Sequence, residues 1–336
     1  MFPGWALDWL RCPHCGGALA DIPAGSPTGQ LSGGSSGGSS ADDEASGAEP
    51  DPGRPGVVGC AAGHRFDVAR QGYLPLLGPR SRTDTGDDAA MVVAREEFLA
   101  GGWYEPIARA VAGAVRDVAG SVDAGAPVVE VGAGTGYYLA AACAPPDRIV
   151  EPDAAGPASQ LDPVGPQRSR PGLALDASRY ALRRAARLPG VAAVLADAWS
   201  PLPVRDGVAG AVLSVFAPRD PAELVRILAP GGLVVVVTPE AEHLAELRGP
   251  LPLLAVDAGK AERVVEAFSE HSVTAVAARP VRFGVQLLRA AAAALVAMGP
   301  TARHLDADRL AAAVSVLPEP VSVTVSVSVT ALRRVE

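Results

Sequence analysis

The chain has 336 residues, 49% hydrophobic and 20% charged, enough for two ordinary cores and too many for one small binding module. Gly (37) and Pro (31) are over-used, so part of the length is linker. The net charge of −8 speaks at first against a nucleic-acid partner, because Lys and Arg make phosphate contacts.

The opening Met1-Phe2-Pro3-Gly4-Trp5 lacks the cationic start and apolar core of a secretory signal. The longest apolar stretch, Leu287 to Met298, is mostly alanine, is broken by Arg289 and falls short of the ~20 residues of a membrane span. A cytoplasmic protein with no membrane segment is expected. Its four cysteines then stay reduced, and their spacing decides their use.

Cys12-Pro13-His14-Cys15 is a CxxC knuckle, and Cys60 and His64 supply a second close pair. Four such ligands suit a closed tetrahedral shell and a structural Zn²⁺, with His14 as a substitute ligand. Residues 1–80 therefore read as a small zinc-binding domain, interrupted at 25–56 by a Gly/Ser/acidic insert that cannot bury enough apolar surface to order itself. A long flexible gap costs little, since closure entropy grows only logarithmically with length. Cys143 stands alone and reads as a small core residue.

Residues 81–126 read as a helical connector, from the i+3 and i+4 apolar spacing in Ala89–Leu99 and Tyr104–Val118. From 127 to 336 the text alternates between strand and helix. Strands are expected at Val128–Val131, Leu173–Asp176, Val191–Leu195, Ala209–Val215 and Leu233–Val237, with the start of a helix at Tyr137–Cys143 and helices at Ser178–Arg187 and Ala222–Leu228. Pro230-Gly231-Gly232 closes the last helix, and Val321–Val329 has the strict alternation of a half-exposed strand. Such a pattern predicts a doubly wound α/β fold with a mostly parallel sheet. A late antiparallel strand suits the seven-stranded class I methyltransferase sheet better than a dehydrogenase.

Glu130-Val131-Gly132-Ala133-Gly134-Thr135-Gly136 follows a strand and opens a helix, where glycines let backbone N–H groups approach a ligand. The acid before the loop, Glu130, fits the ammonium of S-adenosylmethionine and would repel a pyrophosphate. Asp176 ends the second strand, placed for ribose hydroxyls, and Asp197-Ala198 ends the third, placed for an adenine amino group. Tyr137 completes the expected cofactor set of Glu130, Gly132, Gly134, Gly136, Tyr137, Asp176, Asp197 and Ala198. A Pro/Gly-rich insert at 145–171 makes Glu151 and Asp153 competitors for Asp176.

Over nearly its whole length outside the inserts, the chain resembles the bacterial 23S rRNA (guanine-N1)-methyltransferases, which include the tylosin and mycinamicin resistance enzymes of actinomycetes. The specific text is the knuckle followed by His64-Arg65-Phe66-Asp67-Val68-Ala69-Arg70-Gln71-Gly72-Tyr73, then Arg80-Ser81-Arg82, Gly86-Asp87, Met91, Arg95 and Tyr104. Gly136-Tyr137-Tyr138, Ala217-Pro218, Thr238-Pro239 and His243-Leu244 extend it. Two departures are Ala133, where the family has Cys, and Gly299-Pro300-Thr301, where aromatic-rich text is expected.

The resemblance implies a zinc domain presenting an RNA hairpin to a methyltransferase domain, S-adenosylmethionine as cofactor and a homodimer. The implied substrate is a loop guanine in domain II of 23S rRNA, of the 748 type ahead of the 745 type, with macrolide resistance as the outcome. No DNA or membrane partner is implied. Guanine N1 must lose a proton, and the candidate acceptors are Asp87, Asp88 and His243. Ser214-Val215-Phe216-Ala217-Pro218 lacks the Asn/Asp-Pro-Pro-aromatic signature of exocyclic amine methylation, which fits a ring nitrogen; Phe216 is placed to stack on an extruded base. Two rival readings are a small-molecule methyltransferase with the zinc domain as a lid, and an inactive zinc-dependent RNA-binding protein.

The charge objection weakens once the insert is set apart. Six acids against one base lie between Asp21 and Gly56, a net −5 of the −8, leaving −3 for the rest. Arg65, Arg70, Arg80 and Arg82 then form a phosphate-contact stripe beside the knuckle.

Overall fold

The computed structural model describes residues 2–23, 56–82, 85–117, 122–123, 125–145, 169–251, 253, 259–304 and 306–335. The expected insert, apart from Gly56, lies outside the described residues, as do Glu151 and Asp153.

The N-terminal lobe pairs β1 (Leu19–Ile22), β2 (Val57–Cys60) and β3 (Arg65–Asp67) antiparallel. A two-residue strand, β4 (Leu74–Pro75), then leaves the lobe and adds itself parallel to the edge of the large sheet. Two helices follow: α1 (Ala89–Ala100), whose N-terminus Asp88 caps by accepting from the Met91 N–H at 2.9 Å, and α2 (Glu105–Arg116). Ile107, Ala108, Val111, Ala112 and Val115 form the buried stripe of α2.

The parallel strands β5 (Val128–Val131), β6 (Gly172–Asp176), β7 (Val191–Leu195), β8 (Ala209–Val215) and β9 (Leu228–Pro239) alternate with α3 (Tyr137–Cys143), α4 (Arg179–Ala185) and α5 (Pro221–Ile227). The chain closes with α6 (Lys260–Ser269), β10 (Val273–Leu287), α7 (Arg289–Ala297), α8 (Ala307–Ser315) and β11 (Val321–Arg334). The strand order is β10-β11-β9-β8-β5-β6-β7-β4, with β11 antiparallel to both its neighbours. Strands β5 to β11 make up the seven-stranded sheet expected, although β10 was not among the strands read from the sequence, and β4 is an eighth at the edge.

Two expectations need correction. β9 begins five residues early, at Leu228, and passes through Pro230-Gly231-Gly232 as a bulge, its register on β8 jumping from Leu228 to Leu233 with Gly231 at φ 72°. β11 keeps the expected alternation only at its start, where Ser322 is exposed; from Val325 to Leu332 it is buried, with α2 packed on one face of the sheet and α6 on the other. Ser326, Ser328 and Thr330 are buried along with the valines.

The core has two parts, one on each face of the sheet. One contains α1, α2, α3 and α7, including Phe98, Ile107, Leu139 and Leu295. In the other, Phe2, Leu7, Leu10 and Val58 of the lobe share a core with Val129, Val131, Val194 and Leu202. Arg11 ties the same junction, its N–H donating to the Pro203 carbonyl at 3.0 Å and its Nε to that of Leu202 at 3.2 Å. Among the described residues, no helix is long and apolar enough to cross a membrane.

Candidate functional site

The lobe brings Cys12, Cys15, Cys60 and His64 together with all four ligand atoms within 4.8 Å of one another. Cys12 Sγ and Cys60 Sγ lie 3.5 and 3.3 Å from His64 Nδ1, and Cys15 Sγ lies 3.6 Å from Cys60 Sγ. A tetrahedron with metal–sulfur bonds of about 2.3 Å and metal–nitrogen bonds of about 2.0 Å has edges of roughly 3.5–3.8 Å. The donor set therefore fits a metal ion. Burial pushes the Cys60 thiol up, but hydrogen bonds from His64 outweigh it and hold the thiol at about 6. His14 stands outside this cluster: its ring stacks on His64 at 4.9 Å between centroids and on Phe66 at 5.8 Å.

At the carboxyl ends of β5, β6 and β7 lies the first cavity, about 180 Å³. Gly132, Gly134 and Gly136 have φ of 75°, 53° and 82°, and a Cβ on Gly132 would fall 2.5 Å from Ala217 Cβ. Gly132, Gly134, Tyr137, Asp176, Asp197 and Ala198 line the cavity as expected. Glu130 does not. It is buried beneath the loop, where Oε2 accepts from the Leu139 N–H at 2.9 Å, and burial pushes its carboxyl well above the usual range. Gly136 also lies off the wall and faces Leu188.

Asp176 accepts from the Ser178 N–H at 2.6 Å and the Gly134 N–H at 2.7 Å. Asp197 accepts from the N–H groups of Trp199 and Arg82 and the hydroxyl of Ser200. Sequence reasoning did not assign cofactor-side roles to Gly86, Arg95 or Trp199, which also line this cavity. Gly86 presses on the Ala177–Ser178 backbone so closely that a Cβ would meet it at 2.5 Å. Arg95 grips Asp87 at 2.6 Å and the Met298 carbonyl at 2.8 Å. Gly86 and Arg95 had signal only in the resemblance and Trp199 had none, since no local motif joins positions so far apart in the chain.

Beyond a wall of Phe216, Ala217 and Pro218 is a second cavity of about 850 Å³. Phe216 stands at the end of β8 with φ 52°, a left-handed conformation costing about 1–2 kcal/mol for a residue with a Cβ. Its exposed ring stacks at 5.9 Å on His243 and lies 6.1 Å from Tyr104. His243 is buried, its Nδ1 accepts from the Ser326 N–H at 3.3 Å, and Nε2 meets the Tyr104 hydroxyl at 3.4 Å. Burial and then Arg248 hold its pKa down at about 4, so the ring is neutral with its proton on Nε2 and its lone pair engaged. As a proton acceptor His243 is thus poorly set, and the exposed Asp88 is committed to capping α1. Asp87 alone of the three candidates lines the first cavity. Arg65, Arg70, Arg80 and Arg82 are all exposed, and the Gly78–Arg82 segment runs from Pro13 of the knuckle to Asp197.

A parallel sheet in this order, with an antiparallel strand inserted next to last and a glycine loop facing acidic strand ends, defines a class I S-adenosylmethionine-dependent methyltransferase. Its added lobe carries a Cys₃His cluster. No protein-family model matches the chain. A protein of Micromonospora griseorubida named as a 23S rRNA (guanine-N(1)-)-methyltransferase is 42% identical over 333 residues, covering 96% of each chain. The 23S rRNA (guanine(748)-N(1))-methyltransferase of Streptomyces fradiae is 42% identical over 330 residues, covering 97% of each. The chain belongs to the 23S rRNA (guanine-N1)-methyltransferases.

Proposed function

We propose that this enzyme methylates N1 of a loop guanine in a domain II hairpin of 23S rRNA, at the 748-type position named for the Streptomyces fradiae relative. The observation that carries the reading is the adjacency of the two cavities, which meet at Phe216 and share Arg95 and Trp199. Bound S-adenosylmethionine supplies a methyl group already activated on a sulfonium, so the protein's task is alignment. Gly132 and Gly134 let the loop backbone close on the cofactor, Asp176 and Asp197 face its hydroxyl and amino groups, and Phe216 stacks on the extruded base. Asp87, held by Arg95, takes the N1 proton.

In this reading the Cys₃His cluster holds a structural Zn²⁺, and the lobe grips the hairpin. The homodimer and the cytoplasmic setting are carried over from the resemblance and the rRNA substrate, with sedimentation equilibrium testing the first. Macrolide resistance follows if the methyl group obstructs the drug, so expression in a susceptible host should raise the inhibitory concentration of tylosin.

The central test is methyl transfer from tritiated S-adenosylmethionine to naked 23S rRNA, to the hairpin alone and to no RNA. Label in both RNAs with a reverse-transcriptase stop at one guanine is expected, because N1 methylation blocks Watson–Crick pairing. No label in any RNA overturns the reading, and label at an exocyclic amine overturns the N1 assignment.

A further inference from the structure

We infer that the second cavity seats the RNA strand itself, with Arg219, Arg248 and Lys260 holding phosphates next to the target nucleotide; this rests on the rRNA function proposed for the same site. The two adjoining cavities differ in sign. Around the first stand Asp87, Asp176 and Asp197 with Arg95 as their single cation, a setting for a cationic cofactor. The described lining of the second contains Arg95, Arg219, Arg248, Lys260 and Arg263 and no carboxylate. In a chain of net charge −8 whose only lysine is Lys260, that concentration is not a consequence of composition.

These cations are held at the cavity wall by local structure. Arg219 lies three residues past Phe216 and donates to the Ala217 carbonyl at 3.2 Å. Arg248 donates from Nη2 to the His243 carbonyl, which places its guanidinium beside the aromatic group. Lys260 opens α6. Among the described residues no carboxylate forms an ion pair with any of the three. At the junction with the first cavity, Trp199 is 60% and Phe216 39% exposed, two aromatic faces where bases stack irrespective of sequence. Arg219, Arg248 and Lys260, without an ion-paired acid and next to exposed aromatics, make the combination that follows a single strand of nucleic acid. The phosphate contacts nearest the reaction therefore come from 219–260, far in sequence from the arginine stripe at 65–82.

The test measures hairpin RNA affinity by fluorescence anisotropy across a KCl series for wild type, Arg219→Gln, Lys260→Gln and the double variant. A second series replaces Arg65, Arg70, Arg80 and Arg82 by Gln. Each cavity cation removed should lower the slope of log K against log salt by about 0.7, with S-adenosylmethionine Kd by calorimetry unchanged and with Lys260→Arg restoring the slope. Because Arg219 touches the Phe216 loop, Lys260→Gln, at the start of α6, decides the outcome if Arg219→Gln unfolds. Wild-type slope and affinity in Lys260→Gln and in the folded double variant overturn the cavity assignment, while wild-type methylation of rRNA leaves the parent reading standing. A wild type that neither binds nor methylates the hairpin overturns both.

Discussion

The backbone N–H of Gly134 donates to Asp176 Oδ2 at 2.7 Å, across the gap between the glycine loop and the end of β6. The same carboxylate accepts from the Ser178 N–H through its other oxygen, so one side chain sets the loop and the start of α4 against each other. Burial raises the Asp176 pKa, with those N–H groups and Arg95 working against the rise. Asp176→Asn can satisfy only one donor and sets an amide N–H₂ against the other. It should cost about 1–3 kcal/mol in urea unfolding and weaken S-adenosylmethionine binding about tenfold or more by calorimetry. Unchanged stability and Kd would refute this role.

Phe216 allows stability and activity to be separated. Phe216→Ala keeps a Cβ in the left-handed region, whereas Phe216→Gly relieves it, so the glycine variant should be more stable than the alanine variant by about 1 kcal/mol. Both lose the stacking face, worth about 1–3 kcal/mol per base. Their kcat/KM for RNA should fall together, with cofactor affinity kept.

The two knuckle histidines give opposite metal predictions. His64→Ala should lose the metal measured by mass spectrometry and destabilise the lobe, whereas His14→Ala should keep a full equivalent, because His14 only stacks on the His64 ring. Metal loss in both variants, or in neither, would contradict the ligand set. Chelation of the wild type should lower its melting temperature, since a structural metal contributes folding free energy directly.

Protonation of His243 is penalised in the folded chain, with a pKa of about 4 against an ordinary 6.5. The unfolded chain therefore binds the proton more readily between those values, and the histidine's contribution to stability is complete above pH 6.5 and lost as pH falls through 4. Unfolding free energies across that range should show the loss in wild type and a flatter profile in His243→Gln. With its Nδ1 lone pair engaged, the wild-type rate should also show no His243 step between pH 6 and 8.

Much of the sheet was legible because buried parallel strands are short apolar runs with sharp ends. Val128–Val131, Val191–Leu195 and Ala209–Val215 match the expected strands residue for residue, and α3 starts at Tyr137 as expected. The illegible parts have physical reasons. Period-two text in β11 reports alternation but not what covers the polar face, and here other structure buries Ser326 and Thr330. A two-residue strand such as β4 has no periodicity to read. At the site, spacing located the Cys₃His cluster because two close pairs carry a local signature. The second cavity collects the cations Arg219, Arg248 and Lys260 from separate elements, beside Tyr104 and Trp199, so only the fold reveals the common charge of those three. Glu130 shows the converse: its place before the loop was readable, but its aim beneath the loop was not.

Strand β4 has a geometric consequence. Leu74 and Pro75 pair with Val194 and Leu195 of β7, the Leu76 N–H continues onto the Leu195 carbonyl, and the Arg82 N–H donates to Asp197 just beyond. The knuckle lobe is thus laced into the ladder that forms one wall of the cofactor cavity and cannot swing freely from it. An RNA hairpin held by that lobe would meet the methyl donor at a fixed offset. On the proposed function the lobe would then act as a gauge, selecting a nucleotide by its distance from the grip as much as by its base.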